Sequence, residues 1–116
     1  MIMETIKSLQ YFEEVLKQHD QVVIIFSSDQ CIDCLYLDGF IDEVITAYPS
    51  LNFFKIKRHE LPEVFTHYNI YGVPSVFVYD NETIIGTYID KKRKTKAQIE
   101  SFLNETLKKG DSEPAF

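Results

Sequence analysis

Apolar runs and amphipathic stretches alternate along this chain, in lengths typical of strands and helices. Apolar or β-branched runs predict strands at residues 1–7, 22–26, 52–57, 75–79 and 83–89. Apolar residues at helical spacing predict four helices, which begin after Ser8, after the polar loop 27–30, at Pro62 and after Thr95. We expect the second helix to run to Pro49 and the last one to Gly110.

The order of these elements is β-α-β-α-β-α-β-β-α. Alternation in the first half predicts parallel strands joined by crossover helices, and the last two strands predict an antiparallel hairpin. The expected fold class is therefore α/β, with a central mixed sheet flanked by helices on both faces. We expect one domain over residues 1–109 and a flexible C-terminal tail at residues 110–116.

Composition and charge narrow the classes of function. The chain has 116 residues, of which 45% are hydrophobic, which argues against disorder and allows a core without disulfides. A formal net charge of −6 argues against a nucleic-acid partner, which requires a basic surface. The sequence shows no leader pattern and no apolar run of membrane-spanning length, so we expect a cytoplasmic protein without a membrane partner. We also expect it to be a monomer.

The only two cysteines, Cys31 and Cys34, lie where the predicted strand 22–26 gives way to a helix. In a reducing compartment, a C-x-x-C at such a turn indicates a redox-active pair more often than a structural disulfide. Cys31 would lie at the helix N-terminus, where free N–H groups and the helix dipole favour its thiolate, the form that attacks disulfides. Cys34 lies one turn later and could then attack the sulfur of Cys31.

Two other interpretations of the cysteine pair stay open. The two residues could be buried cysteines spaced by chance, or they could bind a metal. Structural zinc needs four ligands, and the histidines of this chain show no ligand spacing to the pair; they are His19, His59 and His67. We therefore expect no metal and no organic cofactor in a single chain, while a metal shared between two chains remains an alternative.

A second informative segment, residues 69–75, carries a Gly-Val-Pro sequence at the start of a predicted strand. Proline is poorly tolerated in a central strand unless it begins the strand, and Gly72 suggests a tight bend. Together with the cysteine pair and the order of elements, this segment makes residues 5–108 resemble the thioredoxin family. The resemblance implies that the peptide bond before Pro74 is cis and that Pro74 lies against the cysteines. It also implies that the backbone of Val73 pairs with an extended substrate peptide.

The resemblance further implies a thiol–disulfide oxidoreductase that reduces protein or low-molecular-weight disulfides. Cys31 would be the nucleophile and Cys34 the resolving cysteine. A separate reductase or a low-molecular-weight thiol would supply the electrons. The predicted substrate-binding residues are Gln30, Tyr71, Val73 and Pro74. The alternative from another class is a non-catalytic binding module that keeps the fold and holds a partner beside Pro74.

Asp33 gives the motif the form Cys-Ile-Asp-Cys, which resembles small thioredoxin-like proteins of Gram-positive bacteria. An ionised Asp33 disfavours a second negative charge on Cys31. Because a less stabilised thiolate favours the disulfide form, we expect a reductant rather than a strong oxidant. Asp33 is therefore predicted to tune the cysteine pair or to relay a proton.

Four positions depart from the pattern of the thioredoxin family. Gln30 replaces the tryptophan that usually precedes the first cysteine, and Ile25 replaces a buried aspartate that assists proton transfer. Gly39 replaces a helix-kinking proline, and glycine also permits a kink. Asp90 replaces a glycine that lets the partner approach, so it could restrict or select substrates. The basic run that follows, residues 91–96, is expected to be a solvated loop.

Overall fold

The computed structural model describes the backbone of residues 3–112 and the side chains of residues 3–108. Within that range the elements follow one another as β1 (Glu4–Thr5), α1 (Leu9–Gln18), β2 (Gln21–Ser27), α2 (Ile32–Asp38), α3 (Ile41–Ala47), β3 (Asn52–Lys57), α4 (Pro62–His67), β4 (Ser75–Asp80), β5 (Thr83–Tyr88) and α5 (Lys96–Ser112). All the predicted strands and helices are present, and the α/β class is confirmed. Among residues 3–112, no helix combines the length and the apolar character that crossing a bilayer requires.

The described strands form one mixed sheet in the order β1-β3-β2-β4-β5. The central strand, β2, pairs in parallel with β3 and antiparallel with β4, and β5 completes the predicted hairpin. Because β2 and β3 run in the same direction, their last residues, Ser27 and Lys57, are paired at one end of the sheet. The segments that follow these two strands therefore begin side by side, which is where ligands bind in many α/β proteins.

Alternating residues of β2 fill two separate cores, one on each face of the sheet. Val22, Ile24 and Phe26 pack on the first face, in the core that also contains residues of α1 and α4. Val23 and Ile25 pack on the second face, in the core that contains residues of α3 and α5. Since both faces are covered, β2 has to be apolar at nearly every position, which explains its continuous apolar run.

Two predicted helix starts are confirmed by the side chains that cap them. The hydroxyl of Ser8 accepts a hydrogen bond from the amide of Tyr11 at 3.1 Å. Thr95 and Gln98 form a reciprocal capping box, with amide-to-side-chain distances of 2.9 and 3.1 Å. These bonds satisfy N–H groups that the first turn of a helix otherwise leaves unpaired.

The helix expected to run from the cysteine pair to Pro49 is divided into α2 and α3. The division falls at Gly39 and Phe40, where the amide of Phe40 bonds the carbonyl of Leu37, an i to i−3 bond that tightens the last turn. The prediction of a single long helix over this range was therefore wrong. The break between α2 and α3 falls at Gly39, where the sequence indicated that glycine permits a kink.

The predicted ends of the chain also differ from the structure. β1 covers only Glu4–Thr5 of the expected strand at residues 1–7, and residues 1–2 lie outside the described residues. The last helix continues past Gly110 to Ser112, because one glycine costs a helix only about 1 kcal/mol and does not end it. Residues 110–112 of the predicted tail are therefore helical, and residues 113–116 lie outside the described residues.

Candidate active site

Cys31 lies in the turn between β2 and α2 and caps the helix that follows. Its sulfur accepts a hydrogen bond from the amide of Cys34 at 3.2 Å. The first turn of a helix carries partial positive charge, so a negative sulfur is favoured at this position. The sulfur belongs to a partly buried residue, which leaves it within reach of a partner. The predicted place of Cys31 at a helix N-terminus is confirmed.

Cys34 lies behind Cys31, with only 1% of its surface exposed. Burial, reinforced by the Cys31 side chain, raises the pKa of the Cys34 thiol to about 11, although the Ser27 hydroxyl and the Ser28 backbone act in the opposite direction. Both cysteines are free, and Cys34 keeps its proton at neutral pH. An accessible sulfur in front of a buried, protonated one can attack first and be resolved afterwards.

The Val73–Pro74 segment closes the other side of the cysteine pair. Its peptide bond is cis, as the resemblance implied. The carbonyl oxygen of Val73 lies 3.7 Å from the sulfur of Cys31, across 42 positions of sequence. The hydroxyl of Ser75 donates to the carbonyl of Gly72 at 2.6 Å, which holds the bend just before the proline. The structure therefore brings together two segments that the sequence singled out separately.

The two other predicted substrate-binding residues, Gln30 and Tyr71, are both exposed. Gln30 directly precedes Cys31, and Tyr71 lies two residues before Val73. Tyr71 is 62% exposed, and its hydroxyl donates to the carbonyl of Ile89 at 3.1 Å. Ile32, inside the cysteine motif, is 74% exposed. An apolar side chain with that exposure beside a reactive sulfur is a candidate contact for a partner, and the sequence patterns did not single it out.

Lys94, in the loop between β5 and α5, is fully buried, with 0% of its side chain exposed. Its ammonium donates to the Asp90 carboxylate at 2.7 Å and to the carbonyl of Lys92 at 2.9 Å, and it lies 5.0 Å from the centre of the Tyr88 ring. These partners replace the water that a lysine loses on burial. The prediction of a solvated loop at residues 91–96 is therefore wrong at Lys94.

Asp90 is held by its own loop. Its carboxylate accepts the bond from Lys94 and a second one from the amide of Lys92 at 2.9 Å. Burial acts to raise the pKa of Asp90, but these hydrogen bonds outweigh it, and the pKa lies below its usual value. The backbone of the loop rests on Gly72, where a Cβ atom would come within 2.6 Å of the Asp90 carbonyl. The loop thus packs directly against the bend that precedes Pro74.

Arg93 joins the same loop to the cysteine motif. Its Nε donates to the Asp33 carboxylate at 2.8 Å, and its guanidinium lies 4.3 Å from the centre of the Tyr36 ring. Both charged side chains are partly exposed, so the pair contributes only about 0–1 kcal/mol. The pair matters for the electrostatics of the site rather than for stability, because it places a cation beside the Asp33 carboxylate. Arg93 was not predicted as a site residue. The only feature of the sequence that pointed to it was the basic run at residues 91–96.

The position of the family's buried aspartate is filled by Ile25, which is buried in the core of the second face. Its register partner on β3, Lys55, forms an ion pair with Asp38 at 2.8 Å. Lys55 therefore has its acidic partner at the end of α2 rather than at position 25. This arrangement supplies no carboxyl at position 25 to take a proton from Cys34.

In the described part of the chain, no group of three or more His, Cys, Asp or Glu side chains is placed to hold a metal ion. His59 comes within 3.8 Å of the Asp29 carboxylate, which also accepts a bond from Lys57 at 3.1 Å. The hydrogen bond from Lys57 lowers the pKa of Asp29. This small cluster is a surface ion pair rather than a set of metal ligands.

Comparison with known proteins identifies the family of this chain. The family model described as Thioredoxin matches residues 3–105. The chain belongs to the thioredoxin family. Membership in the thioredoxin family and the close pair Cys31 and Cys34 support thiol–disulfide oxidoreductase chemistry. The finer resemblance to Cys-x-Asp-Cys proteins of Gram-positive bacteria stays a prediction.

Individual thioredoxins are distant in sequence and close in fold. "Thioredoxin-2" of Pyricularia oryzae is 27% identical over 85 residues, which cover 72% of this chain and 50% of that protein. "Thioredoxin" of Buchnera aphidicola is 26% identical over 95 residues, which cover 81% of this chain and 85% of that protein. The oxidised mitochondrial thioredoxin 3 of Saccharomyces cerevisiae superposes with a TM-score of 0.76 at 22% identity, covering 88% of this chain and 94% of that one. This chain therefore spans about half the length of the Pyricularia relative and nearly all of the yeast structure.

Proposed function

We propose that this protein reduces disulfides of proteins or of low-molecular-weight thiols through Cys31 and Cys34. One observation carries the proposal. The Cys31 sulfur lies between the amide of Cys34, at 3.2 Å, and the carbonyl of Val73, at 3.7 Å, while Cys34 is buried behind it. An accessible sulfur with a helix amide on one side and the Val73 backbone on the other suits attack on a disulfide in a peptide that lies along that backbone.

The proposed reaction transfers two electrons from the cysteine pair to the substrate. The Cys31 thiolate attacks one substrate sulfur, and the other substrate sulfur leaves as a thiolate and takes a proton from water. Cys34 then loses its proton and attacks the Cys31 sulfur, which releases the second substrate thiol and leaves a Cys31–Cys34 disulfide. A separate reductase or a low-molecular-weight thiol restores the dithiol. No metal or organic cofactor takes part in these steps.

Asp33 is proposed to tune the charge around the cysteine pair rather than to act as an isolated anion. The Arg93 guanidinium at 2.8 Å offsets part of its negative charge. The expected penalty of Asp33 on a Cys31 thiolate is therefore reduced while this pair is intact. A proton-relay role for Asp33 remains the second option for the step in which Cys34 loses its proton.

The proposed substrate surface consists of the Val73 backbone, Pro74 and the exposed side chains of Gln30 and Tyr71. The exposure of these two side chains, one next to Cys31 in sequence and the other two residues before Val73, supports this assignment. The proposed working unit is a monomer, because one chain supplies every part of the site. The proposed location is the cytoplasm, where reductants keep such a dithiol reduced.

Insulin disulfide reduction with dithiothreitol as electron donor tests this function. We expect the native protein to accelerate precipitation of the insulin B chain and Cys31→Ser to return the rate to that of dithiothreitol alone. Cys34→Ser should accumulate disulfide-linked insulin, because the mixed disulfide can form but not be resolved. No acceleration by the native protein, and no trapped species with Cys34→Ser, would favour the non-catalytic binding module instead.

A further inference from the structure

A groove of about 500 Å³ opens on the surface between the end of β3 and α4. Its lining includes one cation, two aromatic rings and an amide, from Arg58, Phe65, Asn69 and Tyr71. Tyr71 is also one of the proposed substrate-binding residues. The groove, called here the Arg58 groove, therefore begins at the edge of the active site, and nothing in the proposed reaction uses the rest of it.

The fold brings Arg58 to the same end of the sheet as Cys31. Arg58 directly follows β3, and its amide donates to the carbonyl of Ser27, the last residue of β2, at 2.9 Å. Cys31 lies only four residues after Ser27. On the other side, Tyr71 is two residues from Val73, whose carbonyl faces the Cys31 sulfur. A peptide that lies along Val73 can therefore continue past Tyr71 into the groove.

Arg58 lines the groove, and no described carboxylate lies within ion-pair distance of it. Its guanidinium lies over the Phe65 ring, 5.1 Å from the ring centre, and makes no hydrogen bond or ion pair with a side chain among the described residues. Three other cations have an acidic partner; these pairs are Lys55–Asp38, Lys57–Asp29 and Arg93–Asp33. In a chain with net charge −6, this leaves a cation available to a ligand.

We propose that the Arg58 groove binds an acidic segment of a protein disulfide substrate, next to the cysteine under attack. This proposal rests on the proposed function and deepens it by naming a substrate class. A planar guanidinium presents its N–H groups to a carboxylate as a fork, and the Phe65 ring beneath Arg58 leaves that fork without a competing acid. The amide of Asn69 offers a further donor, and the rings of Phe65 and Tyr71 cover the aliphatic part of a glutamate side chain.

Two peptides that differ by two negative charges test the proposal. Each carries a single cysteine activated as a mixed disulfide with neutral thiopyridine, and the flanking residues hold either two glutamates or two glutamines. Cys31 attacks the peptide sulfur and releases thiopyridone, which is followed by its absorbance; Cys34 then releases the peptide thiol and forms the Cys31–Cys34 disulfide. For the native protein, reduced beforehand and followed through one turnover, we expect the second-order rate constant of thiopyridone release to be about two- to fivefold higher for the glutamate peptide, the range of an exposed ion pair.

Arg58→Gln should bring this ratio to about one, and Arg58→Glu should reverse it. The control is Lys17→Gln, which removes the same charge from an exposed side chain in the last turn of α1, at the opposite end of the sheet, and should keep the native ratio. Far-ultraviolet circular dichroism confirms that each variant folds. Equal rates for the two peptides with the native protein, or an unchanged preference in Arg58→Glu, would overturn the inference alone. Reduction of neither peptide would overturn the proposed function as well.

Discussion

Replacing Gly72 with alanine tests how closely the β5–α5 loop rests on the bend before Pro74. A Cβ atom at Gly72 would lie 2.6 Å from the carbonyl carbon and oxygen of Asp90 and 2.7 Å from the Cα of Lys91. Ordinary contact begins near 3.4 Å, so the two backbones would have to separate by 3.4 − 2.6 = 0.8 Å. The obstructing atoms are backbone, which cannot rotate away as a side-chain end can.

The loop resists this displacement because it is fixed at two points. Lys94 binds the Asp90 carboxylate at 2.7 Å from a fully buried position, and Arg93 holds Asp33 at 2.8 Å. Overpacking at sites of this kind costs about 1–3 kcal/mol. We therefore expect Gly72→Ala to lower the free energy of unfolding by about that amount. Disulfide reduction should also slow, because the loop packs against the bend that leads to Val73 and also carries Arg93. Moving the loop therefore disturbs both sides of the cysteine pair.

Urea unfolding followed by circular dichroism measures the loss of stability, and Gly39→Ala is the matched control. A Cβ at Gly39 would lie 3.3 Å from the Tyr36 carbonyl, so almost no movement is needed, and its backbone is already helical. Alanine's helix propensity should leave Gly39→Ala neutral or up to about 1 kcal/mol more stable. Equal unfolding free energies for the two variants would refute the claim that Gly72 is a point of close backbone contact.

Two further predictions concern buried ionisable groups. The native state raises the pKa of the Cys34 thiol from 9.0 to about 11, so the reduced protein holds this proton more tightly than the unfolded chain does. The stabilisation that results is complete below pH 9.0. It falls by about 2–3 kcal/mol as the pH rises towards 11. Urea unfolding across this pH range should show the loss in the native protein and a smaller one in Cys34→Ser, which has no thiol to titrate at that position. Lys94→Met should cost about 1–3 kcal/mol of unfolding free energy because it leaves the Asp90 carboxylate without its cation, and adding Asp90→Asn should recover part of the loss. Equal stability of native protein and Lys94→Met would contradict the role given to this pair.

The fold was predictable because each element carries a local signal in the sequence. The continuous apolar run of β2 reflects burial on both faces, and the caps at Ser8 and Thr95 mark helix starts within a few residues. The helix boundary at Gly39 was less predictable, because the hydrophobic spacing continues through the break. Glycine permits such a break without requiring one.

The candidate site was predictable only where a motif carried it. Cys31, Cys34 and Pro74 stand in recognisable local sequences, and the structure brings them together. Lys94 and Arg93 belong to a basic run whose members look alike, yet one is buried and the other reaches a carboxylate 60 positions earlier. Lys94 is buried because the loop folds back so that its ammonium meets Asp90, Lys92 and the Tyr88 ring, and no pattern in the run distinguishes it from its neighbours.

The central position of β2 determines when the cysteine pair can form its native environment during synthesis. Cys31 and Cys34 leave the ribosome early, but both strands that flank β2, and the Val73 carbonyl that faces Cys31, come from residues 52–80. Until β4 has been made, the nascent chain cannot enclose Cys34, and its thiol lacks the burial that raises its pKa. A nascent chain halted before residue 75 therefore carries two cysteines that can be oxidised like those of an unfolded chain. The different roles of Cys31 and Cys34 arise only after β4 has joined the sheet.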